Sequence, residues 1–206
     1  MSADSPHAPL LCLASGSPRR RALLEQLGVP HVLALPDVDE AVLPGESAAD
    51  YVVRMARTKA RVVHPHGAAL PVLAADTIVL IDGRICGKPA DAEDGIAMLL
   101  QLSGRSHEVL TAVALAAAGE VHHRLSRSEV RFRHLTLPEA IAYWDTGEPR
   151  DKAGSYAVQG HGAIFIEHLS GSYSGVMGLP LFETAELLAG AGVSYWLGRT
   201  PGGAAL

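Results

Sequence analysis

Ten consecutive residues, Val72-Leu-Ala-Ala-Asp-Thr-Ile-Val-Leu-Ile81, are apolar except for one Asp-Thr pair at their centre. A run of that length reads as a strand covered on both faces. The Asp82-Gly83 dipeptide that closes it predicts a hairpin returning through Arg84-Ile85-Cys86. Covering a strand on both sides requires layers above and below it. Short apolar runs alternate with amphipathic segments along the rest of the chain, so the expected class is α/β.

Local signals place most of the other elements. Residues 10–14 form an apolar run, followed by Ser17 as a helix N-cap, Pro18 at the first helical position, and a stripe of Leu23, Leu24 and Leu27 ending at Gly28. Ser47 and Asp50 resemble the start of a capping box for a helix running to about Val63. Asp91 caps a third helix that stops near Gly104. Residues 109–117 and 121–133 read as an antiparallel pair turning at Gly119-Glu120. Thr136 and Glu139 bracket the start of a helix to about Asp145, and Pro180 opens a last one ending near Gly190. Residues 156–158 and 163–167 read as strands.

At 206 residues the chain is long enough for one large domain or two small lobes around a cleft. No linker or repeat divides it, so residues 1–206 are taken as one domain with frayed ends at 1–9 and 200–206. With 48% hydrophobic and 19% charged residues, a disordered chain is excluded. The balance of 17 Lys+Arg against 22 Asp+Glu gives −5, which argues against a dedicated nucleic-acid binder and requires any anionic ligand to be met by a local cation cluster. Cys12 and Cys86 lack metal-finger spacing and are read as small core residues. No signal peptide and no membrane span are expected, and the expected location is the cytoplasm.

Several familiar patterns are absent. There is no GxxxxGK[ST] phosphate loop. Gly160-His161-Gly162 lacks the third glycine of a dinucleotide fingerprint, and Gly171-Ser-Tyr-Ser-Gly175 has Tyr where a nucleophile elbow needs Ser. The pairs His64/His66 and His122/His123 read as solvated surface histidines.

Chemistry gathers in four places. Leu13-Ala-Ser-Gly-Ser-Pro-Arg-Arg-Arg21 leads a strand through a small-residue loop into a helix N-terminus, whose free N–H groups suit an anion. Ser15 and Ser17 allow close approach there, and Arg19 and Arg20 add fork-shaped donors for phosphate. An ordinary capped helix with solvated arginines fits the same residues. Asp76 is costly inside an apolar strand unless it is paired, metal-bound or hydrogen-bonded, which makes it a candidate general base or metal ligand. Lys59 follows Val52, Met55 and Ala56 by seven, four and three residues, so it lies on the apolar face of its helix, either snorkelling or reaching into a cleft. Lys88 sits in a Gly-Lys-Pro turn. Asp39-Glu40 have no Lys partner in sequence; with Asp76 they form a possible hard-cation site, and a solvated acidic turn fits equally. In Asp151-Lys-Ala-Gly-Ser-Tyr-Ala-Val-Gln-Gly160, small residues flank one aromatic and one amide, and Gln159 offers a paired donor and acceptor to a base edge.

Together these segments resemble the Maf family of nucleoside triphosphate pyrophosphatases. The likeness rests on LASGSPRR (13–20), Asp39-Glu40, the 51–59 helix, ADT (75–77), GKP (87–89), SGRSHEV (103–109) and DKAGSYAVQG (151–160). The resemblance implies a mixed, twisted sheet with helices on both sides and a deep cleft, similar to inosine triphosphatases. It implies hydrolysis of the α–β phosphoanhydride to a monophosphate and pyrophosphate, with a divalent metal (Mg²⁺ or Mn²⁺). Asp76 takes the family's catalytic position, Lys59 and Lys88 its phosphate-side lysines, Ser15, Ser17 and Arg20 its phosphate loop, and Glu40 with Asp76 its metal side. Arg19, Thr77 and Gln159 occupy the positions that divide the family by substrate, and this set looks like the dTTP/UTP branch; the 7-methyl-GTP branch typically has Trp after Ser-Pro and Glu in place of this Gln. A homodimer is implied, with no stable nucleic-acid or membrane partner. The alternatives are a 7-methyl-GTP pyrophosphatase and a non-catalytic nucleotide-binding regulator of cell division using the same pocket.

Overall fold

The computed structural model describes residues 8–64 and 69–196. They form one mixed seven-stranded sheet in which β1 (Leu11–Ala14), β2 (His31–Ala34), β3 (Val72–Ile81), β5 (Ser106–Ala117), β6 (Glu120–Phe132) and β7 (Ile166–Ser170) lie in the order β2-β1-β3-β5-β6-β7, and β4 (Arg84–Cys86) pairs with β3. The β1–β2 and β1–β3 pairings are parallel and the rest antiparallel. Parallel neighbours need a crossover, and two helices supply it: α1 (Pro18–Gln26) between β1 and β2, and α2 (Ala48–Val63) between β2 and β3. The remaining helices are α3 (Ala92–Leu102), α4 (Leu137–Asp145), α5 (Tyr173–Met177) and α6 (Leu181–Gly190).

The alternation of side chains along β3 divides the core. Val72, Ala74 and Ile78 pack with Val52, Met55, Ala56 and Ala60 of α2. Leu73 and Ala75 pack against Leu23 and Leu24 of α1 and Leu187 and Leu188 of α6. Helices therefore cover both faces, as the apolar run of β3 requires. A third cluster joins the far end of β3 to α3, α4 and Phe132, Tyr156 and Phe165. The predicted caps form: Ser17, Ser47 and Asp91 each accept an amide N–H from the residue three positions on, and Thr136 makes a capping box with Glu139. Asp82 and Gly83 both adopt positive φ in the two-residue hairpin, and Arg105 holds Asp82 through both carboxylate oxygens at 2.6 and 2.7 Å.

The structure corrects the reading of residues 156–167. Residues 156–158 form no strand: the Ala157 N–H is taken by the Tyr143 hydroxyl at 3.0 Å instead of a neighbouring strand. Residues 161–165 form a 3-10 turn, and β7 follows it, because the Glu148 carboxylate captures the amides of His161 and Gly162 at 2.9 and 3.1 Å. β5 begins at Ser106, before the expected start at 109. The short helix α5 was not anticipated; Ser172 caps it by accepting from the Gly175 N–H. Cys12 and Cys86 are both free thiols. Among the described residues, no helix is long and apolar enough to cross a membrane. The expected fraying at 1–7 and 200–206, and His66, lie outside the described residues.

The site is positioned by an unequal strand length. β1 meets β3 only at Cys12–Val72 and Leu13–Leu73, and β4 meets it only at residues 79–81. Between them, residues 74–78 of β3 are paired only on the β5 side. The gap opens beyond the carboxyl end of β1, where open α/β sheets bind their ligands.

Candidate active site

A cavity of about 560 Å³ fills that gap. Ten residues nominated from the sequence line it: Ser15, Ser17, Arg19 and Arg20 from the loop and first turn after β1; Glu40 and Lys59; Asp76 and Thr77 from β3; Lys88 and Gln159 from opposite loops. Asp39 does not, and its carboxylate accepts the Ala41 N–H at 2.9 Å instead. Ser15 is buried and its hydroxyl accepts the Ser17 N–H at 3.1 Å, which fixes the bend into α1. Lys88 and Gln159 are exposed on the rim.

On the α2 side of β3, Asp76 and Lys59 are both 8% exposed, and Lys59 Nζ lies 2.7 Å from Asp76 Oδ1. The same ammonium reaches Glu40 Oε1 at 2.6 Å. Glu40 thus has a lysine partner that its sequence neighbourhood did not reveal, while its side chain stays 57% exposed at the cavity mouth. The hydrogen bond from Lys59 holds the Glu40 carboxyl below the usual range despite partial desolvation. The loop carrying Glu40 is pinned to α2 at three points. Tyr51 donates its hydroxyl to the Glu40 carbonyl at 3.0 Å, and Arg54 reaches the Ala41 carbonyl at 2.9 Å and Glu46 at 2.5 and 2.7 Å. Burial, reinforced by the charges of Asp76 and Glu40, pushes the Tyr51 phenol up to about 12, so it remains a donor.

On the opposite side of β3, Arg20 Nε donates to the Gly178 carbonyl at 2.8 Å and Nη2 to the Thr77 hydroxyl at 3.1 Å. Burial lowers the affinity of its guanidinium for a proton, partly offset by Asp76 and Glu40. The buried Thr111 on β5, directly opposite Thr77 in the antiparallel register, places its hydroxyl 3.0 Å from that of Thr77 and 2.7 Å from the Gly175 carbonyl. Arg19 pairs with Asp151 at 3.3 Å, and Asp151 also meets Lys152 at 2.6 Å.

The loop bearing Gln159 is shaped by groups that sequence reasoning passed over. Glu148 accepts from the Tyr143 hydroxyl at 2.6 Å as well as from the His161 and Gly162 amides. Burial works to raise its pKa, but these hydrogen bonds outweigh burial and hold it down to about 2. A Cβ on Gly160 would collide with the Glu148 carboxylate, so a side chain after Gln159 would displace the group that gathers this loop. Beneath the loop, His107 Nε2 and the Tyr156 hydroxyl lie 2.9 Å apart, with their rings edge to face. Burial lowers the His107 pKa to about 4 and keeps the ring neutral. The signals that pointed here were the SGRSHEV segment, which holds His107, and DKAGSYAVQG, which holds Tyr156 and Gly160; Glu148 and Thr111 carried none of their own.

This arrangement has the chemistry of a phosphate-transferring or phosphate-cleaving cleft: a buried carboxylate on an open strand edge, with cations on both sides. The Maf-like protein family matches residues 10–191, and the chain belongs to that family. It is 53% identical to a Bordetella avium protein named dTTP/UTP pyrophosphatase, over 91% of this chain and 98% of that one. A Burkholderia orbicola protein of the same name is 54% identical over 91% and 95% of the two chains, and one from Saccharophagus degradans is 50% identical over 93% of each. Among solved structures, the Staphylococcus aureus Ham1 protein matches over 59% of this chain and 71% of its own, with 14% identity and a TM-score of 0.41.

Proposed function

We propose that this protein is a nucleoside triphosphate pyrophosphatase acting on dTTP and UTP, releasing the monophosphate and pyrophosphate. The observation that carries the reading is Asp76, buried on the unpaired edge of β3 with Lys59 at 2.7 Å, inside a cavity that also receives Arg20 and Lys88. Its relatives' names and the family match support it. The triphosphate lies along the cation-lined floor, with the amides at the start of α1 facing one phosphate. Asp76 orients a water for in-line attack at the α-phosphorus and takes its proton. The α–β bridging bond breaks, and pyrophosphate leaves with the electron pair. Lys59 and Lys88 stabilise the charge that builds on the departing group, while Arg20 binds the phosphates before and during the reaction alike. No covalent nucleophile takes part.

Among the described residues, no three His, Cys, Asp or Glu side chains gather as a preformed metal cage. The donor set is nevertheless suited to Mg²⁺ or Mn²⁺. Lys59 engages one oxygen each of Asp76 and Glu40, each carboxylate keeps a second oxygen, and a hard cation takes one or two carboxylates and completes its shell from substrate phosphates. When bound, the cation supplies neutralisation of phosphate charge. Gln159 presents an amide whose donor and acceptor complement the imide edge of thymine or uracil, with Arg19 and Thr77 completing the selection. A homodimer is part of this reading: β2 is an edge strand, and its Val32 and Leu33 are exposed apolar residues of the kind a second copy covers. The cytoplasm is the expected location. Incubation with a panel of nucleoside triphosphates and Mg²⁺, assayed for pyrophosphate, tests the activity: release from dTTP and UTP is expected, and no release from any triphosphate overturns it.

A further inference from the structure

The hydroxyls of Thr77 and Thr111 form part of a hydrogen-bond chain whose direction is fixed at both ends. Arg20 has no acceptor, so its Nη2 donates to Thr77 Oγ1 at 3.1 Å. Thr111 Oγ1 donates to the Gly175 carbonyl at 2.7 Å and to Thr77 Oγ1 at 3.0 Å. Thr77 Oγ1 therefore accepts from two donors, the Arg20 fork and the Thr111 hydroxyl, which together fix how its lone pairs point. It lines the cavity as the acceptor that holds one Arg20 amino group, while the Gly178 carbonyl holds Nε at 2.8 Å. With Nε and Nη2 engaged, the Arg20 fork is held in the cavity wall.

We infer that Thr111, which does not line the cavity, is a positioning residue for Arg20: it orients the Thr77 hydroxyl and so fixes the guanidinium that meets the substrate's phosphates. The inference rests on the reading of the cavity as a triphosphate site. Its physical basis is separate, because an isosteric Thr111→Val removes the second donor that fixes the Thr77 oxygen. That hydroxyl is then free to turn, its lone pair leaves Arg20, and the fork is freed to move. Loss of one such buried hydrogen bond translates to roughly a 10-fold change in an equilibrium constant. Thr111→Ser retains the hydroxyl and restores the chain.

The test uses the full-length protein and a dTTP analogue with a non-hydrolysable α–β linkage, with binding measured by calorimetry. Thr111→Val is expected to weaken binding about 10-fold, Thr111→Ser to recover most of that loss, and Thr111→Val in an Arg20→Ala background to have less than about a 2-fold further effect. In turnover, KM for dTTP rises with Thr111→Val while kcat changes by less than about 3-fold, the split expected for lost uniform binding. Unchanged affinity in Thr111→Val, no recovery in Thr111→Ser, or full additivity with Arg20→Ala overturns the inference. The ligand-free protein gives a second readout: exchange of the Arg20 Nε–H, followed by NMR, is faster in Thr111→Val than in the wild type and Thr111→Ser. Equal exchange in all three overturns the inference. A wild type that neither binds nor cleaves any triphosphate overturns the functional reading alone, since the exchange comparison still decides the role of Thr111.

Discussion

Lys59 and Asp76 approach within 2.7 Å across the wall of the cavity, each almost wholly removed from solvent. A pair of this kind adds little net stability, because desolvation offsets most of the attraction, yet losing one member is costly. Its value lies in orienting a carboxylate on an otherwise apolar strand. The same ammonium also holds the carboxylate of Glu40, on a loop that Tyr51 and Arg54 already pin to α2.

Asp76→Asn is expected to keep the fold and lose turnover. The amide preserves volume and hydrogen bonding to Lys59 but cannot accept the proton of water, so kcat should fall on the order of 10²–10⁴-fold. Circular dichroism alongside pyrophosphate assays checks both halves.

Pyrophosphate release should depend on added divalent cation and collapse in chelator. Two carboxylates supply too few ligands to retain Mg²⁺ alone. Glu40→Gln should raise the metal concentration needed for half-maximal activity before it weakens nucleotide binding, measured by metal titration at saturating dTTP.

Substrate competition should favour dTTP and UTP over CTP, GTP and 7-methyl-GTP. A site built on paired hydrogen bonds rejects a ligand that leaves its polar groups unsatisfied. Gln159→Ala should narrow the preference while sparing turnover of the preferred substrates more than Asp76→Asn does. A higher kcat/KM for 7-methyl-GTP than for both dTTP and UTP would be the contrary result.

Glu148 should make the fold acid-sensitive. Its folded pKa of about 2 lies below the ordinary 4.5, so its stabilising contribution is complete above pH 4.5 and is lost as pH falls from there toward 2. Urea denaturation across that window should show a steeper loss of stability in the wild type than in Glu148→Gln.

Much of this was legible in the sequence where the cause is local. Ser17, Ser47, Asp91 and Thr136 cap helices through amides three residues away, and Asp82-Gly83 sets its own hairpin. Lys59 was placed on the buried face of α2 by spacing alone. The Lys59–Glu40 pair was not legible, because it joins a loop to the middle of a helix. Residues 156–158 and 163–165 were misread as strand, because the Tyr143 hydroxyl takes the Ala157 amide and Glu148 gathers amides from thirteen and fourteen residues away. Thr111 gave no signal because its meaning depends on the exact pairing of β5 with β3, which puts it opposite Thr77.

Asp76 and Thr77 are neighbours in the chain, yet they serve different halves of the molecule, since successive strand side chains point to opposite faces. One half, with α2 and the Glu40 loop, surrounds the carboxylate; the other, with α1 and α5, anchors the arginine fork. A single peptide unit is the partition between them. Inherited changes on the arginine side can therefore alter which nucleotides are admitted while the bond-breaking apparatus stays as it is, so substrate preference and catalytic competence can evolve on separate schedules within one small enzyme.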